Sequence, residues 1–265
     1  MQLPLYQVDA FANRLFTGNP AAVCPLSEWP SEATMQAIAT ENNLSETAFV
    51  VPGNGRLGIR WFTPNREVHL CGHATLAAAW VWLEHCAGEP KPSALHFDSV
   101  SGPLTVTREA DGRLTLDFPV APAEPAEPPA PLTEGLDAAI VEVAAGDDWL
   151  VRLENEAAVR TVAPDIGRLR ALDRRGVIVT AEGDEADFVS RFFAPNFGIA
   201  EDPVTGSAHC MLTPFWAERL GKERFRAQQL SARGGELACA LAGDRVRIGG
   251  HVVPYLAGTL ELSGN

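Results

Sequence analysis

Three short stretches carry side chains suited to acid–base chemistry: "LSETAFV" with Glu46, "HLCGHAT" with Cys71, Gly72 and His73, and "EDPVTGSAHC" with Asp202, Thr205, Gly206 and Ser207. In the last two, a glycine opens a run apolar enough to be a buried helix. The first turn of a helix presents backbone N–H groups and the positive end of its dipole, which is a ready anion site. Gly72 and Gly206 let a ligand come close to that backbone, and His73 and Ser207 add side-chain donors. Ordinary capping explains either turn taken alone. A matched pair points further, to a small carboxylate held in a cleft between two related halves. Glu46 stands where an apolar strand begins, and partial desolvation there disfavours its charge and makes it a usable general base. The plainer reading is an exposed turn glutamate. Asp202 is also open to two readings, since before Pro203 it can simply bond the turn backbone.

The elements that must position these groups are written twice. "RWFTPN" at 60–65 returns as "RFFAPN" at 191–196, each followed by its Gly and apolar helix, and "DGRLTL" at 111–116 returns as "GDRVRI" at 243–248. Matches in one order flanking a proline-rich stretch indicate a duplication. The expected division is an N-terminal lobe over 1–118, an extended linker over 119–134 and a C-terminal lobe over 135–265. The final strand, about 252–262, can join either lobe.

Strand signals recur as "LYQVDAF", "ETAFVVP", "LGIRWF", "ALHFDSV", "PLTVTRE", "RLTLDF", "GVIVTA" and "DFVSRFF". One long helix is expected over 73–86. Ala74–Leu83 is apolar on every side, so it must be covered all round, and strands are the available cover. Its second copy, from about Ser207 to Leu220, contains Pro214 and should bend. A smaller helix over 31–42 has Ser31 as its cap. The fold class that follows is α+β: two pseudo-symmetric lobes, each a curled, mostly antiparallel sheet around a central helix.

The chain has 265 residues, a net charge of -13 and a pI of about 4.9. Such a balance disfavours nucleic acid and an anionic membrane surface as partners. The longest apolar run, "ATLAAAWVWL", is too short for a bilayer span, and no basic segment precedes an apolar core as in a signal peptide. Five scattered cysteines without CxxC pairs read as reduced thiols of a cytoplasmic protein, with Cys24, Cys86 and Cys239 packed in the core. A metal set drawn from His69, Cys71, His73, His209 and Cys210 is disfavoured, because the chain turns into a helix at Gly72 and breaks a shared face.

Taken together, "VDAFANRLFTGNPAAV", "SETAF", "RWFTPNREVHLCGHATLAAA", "RFFAPNFGIAEDPVTGSAHC" and "ARGGEL" make the chain resemble the phenazine-biosynthesis isomerase-like (PhzF-like) family, a branch of the diaminopimelate-epimerase fold. The resemblance implies a homodimer whose site lies between the lobes of each chain. It implies a cofactor-independent and metal-free isomerase of a small carboxylic acid. In that family the glutamate of SETAF is the acid/base, here Glu46. The Gly-His pair, Gly72 and His73, and the EDPVTGS segment, with Asp202, Gly206 and Ser207, bind and polarise the substrate. In the epimerase branch two cysteines face each other; here Cys71 matches one and Thr205 replaces the other, and a threonine hydroxyl is too weak an acid for two-thiol racemisation. The competing readings are an epimerase using Cys71 and a non-catalytic binder of small acids.

Overall fold

The computed structural model describes residues 2–262. Contacts divide the chain into two units: one runs to Asp117 and regains the chain from Gly249, and the other spans Phe118–Ile248. The first half of the sequence forms β1 (Gln2–Ala10), β2 (Asn19–Pro25), α1 (Glu32–Asn42), β3 (Glu46–Pro52), β4 (Leu57–Phe62), β5 (Glu67–Val68), α2 (Gly72–His85), β6 (Ala94–Ser99), β7 (Gly102–Arg108) and β8 (Leu114–Pro119). There follow β9 (Glu124–Pro125), α3 (Ala130–Gly135), β10 (Ile140–Ala145), β11 (Trp149–Leu153), α4 (Glu156–Thr161) and α5 (Ile166–Leu169). The chain continues with β12 (Val177–Glu182), β13 (Phe188–Ala194), β14 (Ile199–Asp202), α6 (Gly206–Leu220), β15 (Arg224–Gln229), β16 (Gly235–Ala242), β17 (Arg245–Gly250) and β18 (Val252–Glu261).

Local chemistry explains the best-defined of these elements. β3 is apolar from Ala48 to Val51 and buried throughout that run, while β4 alternates buried and half-buried positions before ending on Trp61 and Phe62. Branched and aromatic side chains suit such half-covered pleats. α1 starts where the Ser31 hydroxyl accepts the Thr34 N–H at 3.1 Å and stops at Asn43, whose left-handed backbone (φ 49°) ends the helix.

Strand pairing repeats one plan in both units. In the first, β18–β1 and β1–β2 are antiparallel, β2–β3 parallel, β3–β4 antiparallel, β4–β6 parallel, and β6–β7 and β7–β8 antiparallel. In the second, β10–β11 is antiparallel, β11–β12 parallel, β12–β13 antiparallel, β13–β15 parallel and β15–β16 antiparallel. Each parallel joint requires a crossover, and each is bridged by helix: α1 and α2 in the first unit, α4 with α5 and α6 in the second. The short strands β5 and β14 pair with β4 and β13 in corresponding places.

α2 packs on β1, β2, β3, β7 and β18, strands drawn from both ends of its sheet, so the sheet curls around it. Every residue from His73 to Ala79 is buried, as an all-round apolar helix demands. α6 is buried at the corresponding turns; the Trp216 indole stacks on Phe188 and donates to the Thr180 hydroxyl at 3.0 Å. Pro214 lacks the N–H that would reach the Cys210 carbonyl one turn back, and the Ala121 N–H occupies that carbonyl instead at 3.2 Å.

The proline-rich stretch expected as a linker carries β9, which pairs with β10, and α3, and it falls within the second unit. The closing strand lies along β1 over its whole length. One expectation about the thiols fails: Cys24 and Cys239 are buried, but Cys86 is exposed, because α2 has ended and the chain has left the sheet's cover. No helix among the described residues is long and apolar enough to cross a membrane.

Candidate active site

An arginine fixes the strand that leads to each helix mouth. On β4, Arg60 donates to both carboxylate oxygens of Glu67 at 2.7 and 2.6 Å, and its guanidinium lies over the Phe62 ring. On β13, Arg191 does the same to Glu201, at 2.7 and 3.0 Å, and lies over Phe193. The duplicated R-x-F pattern therefore encodes a bidentate pair plus a cation–π contact that pins the short strand before each mouth. Arg191 is bound more deeply, since it also donates to the carbonyls of Val159 and Val162.

At the first mouth, Cys71 is the N-cap, with extended backbone, and its side chain does not cap the helix N–H groups. Thr75, one turn on, donates its hydroxyl to the Cys71 carbonyl at 2.6 Å. Glu46 heads β3 in register with Ala21 of β2, and its side chain is 13% exposed, which removes the exposed-turn reading. Its Oε2 lies 3.2 Å from Nε2 of His73. The approach lacks the alignment of a hydrogen bond. Burial pushes the His73 imidazole from 6.5 down to about 3, only partly opposed by a hydrogen bond to the Pro20 carbonyl, so the ring is neutral. That carbonyl arrives by way of Gly18, whose φ of +72° and 2.3 Å gap between a notional Cβ and the Ala10 oxygen admit no side chain. On the other side of the ring, Cys71 Sγ lies 3.5 Å from His73 Nδ1.

The sequence had argued that Cys71 and His73 could share no face, and the structure corrects this. The extended N-cap followed by one helical residue swings both side chains to the same mouth, where ligand atoms of Glu46, Cys71 and His73 lie within 4.8 Å of one another. His69 is exposed and outside this group.

At the second mouth, the cap is Thr205, again extended and again without a side-chain cap bond. Its hydroxyl donates to Asp202 Oδ2 at 2.5 Å. The position one turn on is His209, whose Nδ1 meets the Thr205 carbonyl at 2.8 Å, the place Thr75 takes in the first mouth. Burial lowers the His209 pKa to about 4. Gln229, fully buried on β15, accepts the Thr205 N–H at 2.8 Å and donates to the Asp202 carbonyl at 2.7 Å. The Ser231 hydroxyl adds a bond to the Pro203 carbonyl at 2.8 Å. Gly206 is buried and Ser207 half-buried at the helix start.

The sequence-derived residues thus form two groups: Glu46, Cys71, Gly72 and His73 in one unit, and Asp202, Thr205, Gly206 and Ser207 in the other. Gln229 was not legible, because nothing local marks a glutamine that reaches back across a sheet. The arginines were, had the arginine and aromatic kept in both copies been read as a motif.

Residues 8–258 match the family described as phenazine biosynthesis-like protein, and the chain belongs to that family. An uncharacterized isomerase of Pseudomonas aeruginosa is 53% identical over 262 residues, covering 99% of this chain and 100% of the relative. The crystal structure of a PhzF-family phenazine biosynthesis protein from Enterococcus faecalis superposes with a TM-score of 0.96 at 47% identity, covering 99% of this chain and 100% of that one. A hydroxyproline epimerase from Agrobacterium vitis, solved with bound trans-4-hydroxy-L-proline, shares the fold alone: 11% identity, TM-score 0.64, 98% of this chain and 92% of that one. The fold is the sheet-rich α+β type of the diaminopimelate epimerases and proline racemases.

Proposed function

We propose that this chain is a cofactor-independent isomerase that takes a proton from one carbon of a small carboxylic acid and returns one to another, with Glu46 as the general acid/base. The observation that carries the reading is the pairing of a mostly buried Glu46 carboxylate with a neutral imidazole at an uncapped helix mouth. A neutral ring packs beside the carboxylate and adds no positive charge there. General acid–base transfer of this kind contributes about 10²–10⁴-fold. Negative charge gathering on the substrate carboxylate during proton removal is met by the first-turn N–H groups of α2 beside Gly72. Asp202, Gly206 and Ser207 enter through the family pattern as groups that bind and polarise the substrate. The family's isomerase names and the solved epimerase fold support the reaction class. The same resemblance supports a homodimer, which light scattering tests.

Racemisation by two thiols is the weaker reading, since Thr205 replaces the second cysteine and its hydroxyl is donated to Asp202. The test is incubation in deuterated water with a panel of cyclic and amino acids, followed by mass spectrometry. At least one acid should gain label with the wild-type protein and none with Glu46→Gln. Label gained equally by Glu46→Gln would overturn the assignment; loss on Cys71→Ser with retention in Glu46→Gln would favour the thiol.

A further inference from the structure

Glu46, Cys71 and His73 bring three kinds of donor together: a carboxylate oxygen, a thiol sulfur and an imidazole nitrogen. Zinc binds such ligands at about 2.0–2.3 Å, so a tetrahedral ion holding one of each would space them about 3.3–3.7 Å apart. One ring gives an ion only one of its nitrogens, so the 3.2 Å from Glu46 Oε2 to His73 Nε2 and the 3.5 Å from Cys71 Sγ to His73 Nδ1 are not both ligand spacings; with one atom taken from each residue, the three lie within 4.8 Å of one another. The donors come from the head of β3, the N-cap of α2 and its first turn, all held by the packing of one unit. Separations of up to 4.8 Å must shorten toward the tetrahedral spacing for the three to close on a common centre. Two of the three are nitrogen and sulfur, which selects against magnesium and calcium and for thiophilic ions. Three protein ligands also leave a fourth position open to water or a substrate oxygen.

We propose that this cluster is a binding site for a thiophilic divalent cation such as zinc, and that filling it switches the proton transfer off. On binding, the Cys71 thiol gives its proton to solvent and the thiolate sulfur takes the metal. Glu46 then spends an oxygen lone pair on the cation and no longer accepts a proton from carbon. Only the inhibitory half rests on the reading of Glu46 as acid/base; binding stands by itself.

Cobalt(II) is the probe, added to the purified full chain without oxygen. The expected result is a sulfur-to-cobalt charge-transfer band in the near ultraviolet together with the strong visible bands of four-coordinate cobalt. Both should saturate at a single equivalent and disappear when zinc is added. Cys71→Ser should abolish the near-ultraviolet band and weaken binding by more than about 100-fold, beyond the loss expected for an outer-shell partner. His73→Asn, with its fold checked by circular dichroism, should lose the visible intensity. Cys86→Ser, altering an exposed thiol, should change nothing. Absence of a band at one equivalent, or a band that survives Cys71→Ser, overturns the site. Zinc should lower deuterium exchange in step with occupancy; exchange that persists at full occupancy overturns the switch. Absence of exchange in the metal-free protein counts instead against the proposed reaction, and the cobalt spectra decide the site regardless.

Discussion

At the mouth of α2 the cap is Cys71, followed by Gly72 and His73, and a carboxylate, Glu46, comes in from a separate strand. At the mouth of α6 the same places hold Thr205, Gly206 and Ser207, and the carboxylate, Asp202, lies on the helix's own approach strand, where it takes the cap hydroxyl. A carboxylate local in sequence becomes part of the turn it sits on. One brought from elsewhere in the fold stands against a neutral ring. The two equivalent frames differ in the direction from which the acid arrives.

The largest effect expected is on exchange. Glu46→Gln should lower it by about 10²–10⁴-fold at unchanged Tm, while Asp202→Asn should lower both exchange and Tm, since it loosens the Thr205 turn. Equal thermal shifts in the two variants would erase the distinction. Next come the arginines. Arg191→Met, at a side chain 13% exposed, strands Glu201 and two carbonyls and should lower the unfolding free energy by about 3–4 kcal/mol. Arg60→Met, 25% exposed, should cost about 1 kcal/mol; urea denaturation compares them. Gln229→Leu leaves the buried Thr205 N–H and Asp202 carbonyl unmet and should cost about 1–3 kcal/mol.

A further effect is on pH dependence. His73 and His209 are held neutral, with pKa values near 3 and 4 against an ordinary 6.5. Between those limits the unfolded chain binds more protons than the folded one. Their contribution to stability is therefore complete above pH 6.5 and declines as pH falls below it. Each adds a slope of about 1.4 kcal/mol per pH unit once its unfolded form is protonated. His209→Gln should reduce the slope measured between pH 6.5 and 5 by one such increment; an unchanged slope would refute the neutral ring.

What could be read from the sequence was whatever is local. "ETAFVVP" and "LGIRWF" are β3 and β4 to the residue, because branched and aromatic runs bounded by polar or glycine turns suit one backbone only. Ser31 capped α1 as its type requires. The repeat announced two similar units and both helix mouths. Long-range pairing stayed hidden: Gln229 reaches Thr205 across 24 residues, and the Cys71–His73 contact depends on a cap dihedral. "NPAAV" forms β2, yet its Asn-Pro start resembles a turn.

β18 completes the sheet that β1 begins, although the whole second unit is spelled out between them. During synthesis the unit started first therefore cannot finish first. Its opening strand must wait, one margin uncovered, until the ribosome has delivered everything else, while the later unit is contiguous and able to close before it. A chain truncated after Ile248 and released should hold one finished unit and one still missing its last strand, which limited proteolysis would reveal.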